Sequence, residues 1–448
     1  MTPGQIVDPS SSSKRIGNPC HGKEALRTRS GRRVRVLLTE GSSLSARQTL
    51  YALGRVGAVI DVCDPRPLFC LGRYSRYTHA CFRCPSFTVD PPGYLRFLCD
   101  RLRTGGYDVL FPVHDQVYLL AQCRSSLGTR VGVPVPHFAA VERLQSKAEF
   151  VRLLAEVSLP HPETRLVRTR AELERVTTFP CYIKLAHSTA GRGVWLLADA
   201  AARDRLIAHL EKTGLLSGDF EILVQQLAAG VLRVVQCVFQ HGRLVAGHCY
   251  QATALGVGGS ARARVSVSHP RVLEQVAALG GFLNWHGAMT LDYLWDGEVD
   301  QHAYIDANPR IGETFNATLS GVNLCAALMR VALDEQVAPM TRGREGVRTH
   351  SALMTLLAGV QRGDSRRALV RELCSSWIGE GLYAGSADEL TRPREDFPSI
   401  IPALWAAGRV LLRPRAANGL IGGTVENYAL DGCAARKIKQ LNPGSPLP

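Results

Sequence analysis

Asp292 lies in the largely apolar run Thr290-Leu291-Asp292-Tyr293-Leu294, and fourteen residues on Asp306 opens Asp306-Ala307-Asn308-Pro309-Arg310. Side chains alternate across a strand, so Asp306 and Asn308 share one face. The turn signal Asp296-Gly297 would return that face beside Asp292. Three converging oxygen donors suit Mg²⁺, which prefers oxygen ligands and completes its shell with water and phosphate oxygens. A solvated acidic hairpin is the bland alternative, and the Asn-Pro-Arg strand exit with flanking glycines weighs against it.

A second set lies upstream. Tyr182-Ile183-Lys184-Leu185 runs into the loop Thr189-Ala190-Gly191-Arg192-Gly193 and on to Val194. A lysine near a strand end can meet phosphates, and the backbone N–H groups of a small loop can close over the outer ones. Glycines let that backbone approach closely. Many hairpins contain such a loop, so alone the signal is weak. Lys147, in Ser146-Lys147-Ala148-Glu149-Phe150, heads a helix 37 residues earlier and could complete the cradle.

Lysine is rare here. Only seven of the 53 basic residues are lysine, and Lys147, Lys184 and Lys212 are the only ones between Lys23 and Lys437. A chain that uses arginine wherever either cation serves keeps lysine where a compact ammonium is needed. Lys212 ends a helix before Gly214, an ordinary place for a cation.

The elements that must position these residues read as follows. Val34–Leu38 is a buried strand, followed by a helix from Ser45 to Val56 and a strand Ala58–Val62, a β-loop-α-β unit without the GxGxxG of a dinucleotide site. A helix at 94–103, a strand at 108–112 and a helix after His114-Asp115 complete an α/β segment. Then come a helix at 147–157, the strands 181–185 and 194–197, a helix at 200–212 and a strand at 221–226. Arg233–Tyr250 reads as a long hairpin turning at His241-Gly242, and a helix at 269–281 precedes the two acidic strands. The stretch Gly256–Arg264 reads as a solvated loop, with Arg262 and Arg264 as an alternative anion site.

Composition bounds the rest. The 448 residues, 46% apolar, can bury a sizeable core in two to four domains. No apolar run approaches the roughly 18 residues of a membrane span. Thirteen scattered cysteines, with one lone CxxC at Cys81 and Cys84, fit a reduced cytoplasmic setting better than a disulfide framework. Of the net +14, residues 1–33 supply +5, and the remainder forms no basic stripe interleaved with aromatics, which argues against nucleic acid. Residues 1–32 are Ser-, Gly-, Pro- and Arg-rich and read as a disordered basic tail, a transit peptide or an extended N-terminus.

Taken together, Lys147, Lys184, the Thr189–Gly193 loop, the segment Val224–Gly230, Asp292, Asp306, Asn308, Arg310 and the run Gly312–Leu324 resemble the ATP-grasp superfamily over about residues 33–330. The likeness is to carboxylate–amine ligases and the carbamoyl-phosphate-synthase-like branch. It implies an α/β chain, α+β in the ATP-grasp part. A Rossmann-like domain at 33–133 precedes a two-subdomain ATP-grasp fold at 134–332, hinged near 224–230, with an α-rich extension at 333–448.

The same resemblance implies roles. Lys147 and Lys184 would bind phosphates under a lid formed by Thr189, Ala190, Gly191, Arg192 and Gly193. Gln225 and Ala228 match adenine-contacting positions, by side chain and backbone respectively. Asp292, Asp306 and Asn308 match ligands of Mg²⁺ or Mn²⁺, and Arg310 matches a residue that steadies the transferring phosphoryl group. Three departures are Asp where Glu is commoner at 306, Gln225 where the hinge has Glu, and no ribose-binding acid near Leu232. The implied activity is ATP-dependent activation of a carboxylate as an acyl phosphate and its coupling to an amine, releasing ADP and phosphate. Carboxyphosphate or kinase-like chemistry, and a nucleotide-binding module without turnover, remain alternatives. The implied partners are a small acid and amine, with no nucleic acid or membrane and with room for a homodimer.

Overall fold

A computed structural model describes residues 26–28, 30–189, 191–216, 218–390, 394–413, 425 and 427–441. The expected tail falls largely outside these residues, but its end is docked. Leu26 N donates to Val56 O at 2.9 Å, and Arg32 pairs with Asp108, whose carboxylate also accepts from Arg35 N at 2.8 Å. Residues 26–28 and 30–32 are therefore part of the folded protein, a correction to the reading from composition.

The first sheet is parallel, with strands β1 (Arg35–Leu38), β2 (Val59–Asp64), β3 (Thr78–Arg83) and β4 (Val109–Phe111) in the order β3-β2-β1-β4. The apolar residues of β1 are buried on both faces, as strands covered by helices require. The chain leaves β1 in one direction and returns on its other side with β4. The carboxyl ends of these two strands form the topological switch point, where ligands of such sheets gather. This is the Rossmann-like part of the mixed α/β fold.

Strands β5 (Thr164–Val167), β6 (Cys181–Leu185), β7 (Val194–Leu197) and β8 (Ile222–Gln226) form a small antiparallel sheet in the order β5-β8-β6-β7. Ile183, Leu206, Leu210, Ile222 and Val224 give it a core of its own.

The third sheet has seven strands: β9 (Val231–Gln240), β10 (Arg243–Leu255), β11 (Ala261–Val267), β12 (Gly287–Asp296), β13 (Gln301–Asn308), β14 (Arg348–His350) and β15 (Ser386–Asp388). Their order is β13-β12-β9-β10-β11-β14-β15. The β9–β10 hairpin turns at His241 and Gly242, both with positive φ, where the sequence places it. Two short strands from beyond residue 333 thus extend this sheet.

The segment Gly256–Arg264, read as a loop, enters β11 at Ala261. Its arginines are engaged in internal pairs, Arg264 fully buried and Arg262 partly so. Arg262 reaches Glu372 and Tyr383, and Arg264 reaches Glu313 at 2.5 Å and Glu389 at 3.2 Å. Neither acts as an open anion site.

The helix Leu324–Ala332 buries Leu324, Leu328, Met329 and Val331 between the first sheet and the seven-stranded one, in a core shared with Val36, Phe111, Val238 and Ala288. Each large apolar side chain so buried contributes about 1.5–3 kcal/mol. That contact fixes the switch point against the acidic strands. Among the described residues no helix is long and apolar enough to cross a membrane.

Candidate active site

The site lies where the small sheet, the acidic hairpin and the first sheet meet. Asp292 of β12 and Asp306 of β13 are direct partners in the ladder, and Thr290 pairs with Asn308. Just before Asp306 the register slips by one, so Ile305 is an extra residue on β13. Such a bulge frees backbone groups from the ladder, and the Ile305 carbonyl accepts from Lys184 Nζ at 3.2 Å.

Lys184 is buried near the end of β6. Lys147 is the first residue of the helix Lys147–Glu156, capped by Ser146, and its backbone N–H donates to Ala186 O at 2.8 Å. Its Nζ donates to Asp306 Oδ1 at 2.8 Å and to Ser188 O at 3.2 Å. Lys184 thus reaches the acidic hairpin from the small sheet, and Lys147 from the helix that starts beside it.

The electrostatics show crowded charge. Burial pulls the Lys184 ammonium down to about 8, with Asp306 opposing the shift and Lys147 adding to it. Burial, and then the like charge on Asp306, push the Asp292 carboxyl up to about 7. Two facing carboxylates need cations beside them, and Lys147, Lys184 and Arg310 are the resident ones.

Arg310 leaves the end of β13 and donates from Nη1 to Asn308 Oδ1, and the same atom lies 3.2 Å from Asp115 Oδ1. Gln236 Nε2 donates to the carbonyls of Ile311 and Glu313, which fixes the backbone after Arg310. Asn308 therefore shares the hairpin face with the aspartates while its oxygen is engaged by the guanidinium.

In the glycine loop, Thr189 Oγ1 donates to Asp115 Oδ2 at 2.6 Å, and Gly193 O accepts from Leu185 N. Gly191 has φ +72°, and a Cβ there would lie 2.6 Å from Gly258 O, so a side chain at this position would be both strained and blocked. Arg192 is exposed at the loop tip. Ala190 lies outside the described residues.

The hinge positions are less committed to a site. Gln225 is buried on β8, and its Nε2 donates to Thr164 Oγ1 of β5 at 3.0 Å. Ala228 is half-buried in the linker between β8 and β9. Gly230 closes that linker with φ +113°, where a Cβ would meet the Trp295 backbone at 2.5 Å.

Asp115 was not among the candidates from sequence, although it touches both Thr189 and Arg310. Burial alone would raise its carboxyl; Arg310, His114 and Thr189 outweigh that and hold it well below the usual carboxylate range. His114 packs against Tyr428 at 4.2 Å between ring centroids, and burial lowers its imidazole to about 4. The usable signal was position, since an acid just after the strand at a switch point faces the ligand crevice.

No family model matches the chain. The C-terminal section of the carbamoyl phosphate synthase large chain of Methanopyrus kandleri is 24% identical over 190 residues, 39% of this chain and 34% of the relative, so the match spans about a third of that protein's length. The biotin carboxylase domain of Hydrogenobacter thermophilus 2-oxoglutarate carboxylase, solved with MgADP, ADP and bicarbonate, superposes with TM-score 0.57 at 13% identity, covering 70% of this chain and 73% of that one. N5-carboxyaminoimidazole synthetase from Staphylococcus aureus, complexed with ADP, gives 0.56 at 12% identity, covering 76% and 87%. With a parallel sheet leading into a small and a large antiparallel sheet that enclose two lysines and an acidic hairpin, the chain shares the ATP-grasp fold of these solved structures.

Proposed function

We propose that this chain is an ATP-dependent ligase that phosphorylates a substrate carboxylate and couples it to an amine, releasing ADP and phosphate. The observation that carries the reading is the facing pair Asp292 and Asp306, ringed by Lys147, Lys184 and Arg310. The donor set fits Mg²⁺. Asp292, Asp306 and Asn308 would hold it, and the raised Asp292 carboxyl marks excess negative charge that a divalent cation relieves. Among the described residues no group of three or more His, Cys, Asp or Glu is arranged to hold a metal ion. When bound, Mg²⁺ supplies charge neutralisation on the phosphates.

The chain's own groups do the rest. Lys147 and Lys184 bind phosphate oxygens as point charges, and Arg310 stabilises charge on the phosphoryl group in flight. An oxygen of the acid attacks the γ-phosphorus, and the bond to the ADP oxygen breaks. The amine then attacks the activated carbonyl carbon and phosphate departs. The Thr189–Gly193 loop excludes water from the labile acyl phosphate. Residues 33–133 and 333–448 would flank the nucleotide-binding part and shape the acid and amine pockets.

Carboxyphosphate chemistry is the second reading, favoured by the match to a carbamoyl phosphate synthase section. An acid-by-amine screen read by phosphate release, with bicarbonate as one of the acids, tests both. ADP formed only when acid and amine are both present supports the ligase. Turnover driven by bicarbonate alone supports the second reading.

A further inference from the structure

Asp115 is buried beyond the carboxyl end of β4, and its two oxygens meet three other segments of chain and its neighbour His114. Oδ2 accepts from Thr189 Oγ1 in the glycine loop at 2.6 Å and from Leu430 N in the returning C-terminal segment at 2.9 Å. Oδ1 lies 3.2 Å from Arg310 Nη1 and 3.3 Å from His114 Nδ1.

We propose that Asp115 is a positioning residue that ties closure of the Thr189–Gly193 loop to the placement of Arg310 through one carboxylate. The inference rests on reading that loop as a lid over the phosphates and Arg310 as the phosphoryl-stabilising cation.

The buried pair of Arg47 with Asp396 joins elements away from the site. Asp115 instead joins two site residues that come from different sheets. The loop is held by Asp115 through Thr189, and Gly191 passes close to the Gly258 backbone. A buried carboxylate needs its lone pairs filled. When the loop lifts, Asp115 loses the Thr189 hydroxyl and gains water, which loosens its hold on Arg310. The arginine is then fully placed only when the loop has shut water out, the condition under which an acyl phosphate survives.

The test compares Thr189→Val, Thr189→Ser and Asp115→Asn in the full chain. Trypsin cleavage after Arg192, followed without nucleotide, reports loop opening, and MgATP turnover with the acid and amine from the screen reports Arg310. Loss of one buried hydrogen bond, about fivefold in an equilibrium, predicts that Thr189→Val is cut about fivefold faster than wild type. Its kcat falls by a similar factor or more while the KM of the acid stays unchanged, and Thr189→Ser restores both. Asp115→Asn keeps an acceptor for Thr189 but loses the charge facing Arg310, so kcat falls with little change in cleavage. Unchanged cleavage in Thr189→Val, or faster cleavage with wild-type kcat, overturns the coupling. If Asp115→Asn does not fold, the Val and Ser variants decide the matter alone. Failure of the ATP reading appears separately, as a wild type whose melting temperature does not respond to MgATP.

Discussion

Asp292 and Asp306 face each other directly across the β12–β13 ladder, and Lys147, reaching in from the start of the helix Lys147–Glu156, binds Asp306 at 2.8 Å. Neutralising one of the two carboxylates separates a structural role from a metal-binding one. Asp306 is partly exposed, so Asp306→Asn costs about 1 kcal/mol or less in stability. A ligand that binds only the native state raises its apparent stability. Wild type gains melting temperature with MgATP, and the variant gains much less and loses most turnover. Equal gains and equal turnover would remove Asp306 from the site.

Lys184→Arg keeps the charge and changes its shape. The ammonium is buried and meets the Ile305 carbonyl, so a wider guanidinium has no room to expand there. Turnover falls by about 100-fold, the loss typical of one misplaced transition-state donor, while far-UV circular dichroism is unchanged. Activity within a few-fold of wild type would mean the ammonium is not at the phosphates.

Much of the site was legible because its residues sit in strong local patterns. The Asp306/Asn308 alternation and the Lys184 strand lie in the structure where periodicity places them. Three features were not legible. The strand β11 hides behind Arg262 and Arg264, which look solvated until Glu372, Glu313 and Glu389 arrive from distant segments. The docked residues 26–28 and 30–32 carry one large apolar side chain, Leu26, too little for composition to register. Asp115 owes its place to tertiary contacts with Thr189, Arg310 and Leu430, none near it in sequence.

Acid should weaken the fold through buried histidines. His248 is buried against Asn316, and burial lowers its imidazole to about 4 from an ordinary value of about 6.5. Between those values the unfolded chain binds the extra proton, so the stabilisation is present above about pH 6.5 and is lost as pH falls toward 4. The loss is on the order of 2 kcal/mol by pH ~4.5. Urea denaturation near pH 7 and near pH 4.5 measures it, and His248→Gln should show a fall in stability smaller by about that amount. An equal fall in both proteins would mean His248 is not held neutral.

In the proposed reaction the substrate carboxylate itself takes the γ-phosphoryl group. The acid that best stimulates turnover is labelled with ¹⁸O in its carboxylate, and the phosphorus-containing products are analysed by mass spectrometry. Attack by that carboxylate on the γ-phosphorus, followed by amine capture, leaves one labelled oxygen in each released phosphate and none in the ADP. Label in AMP, with pyrophosphate as the other product, would place the chemistry at the α-phosphorus and exclude the proposed reaction.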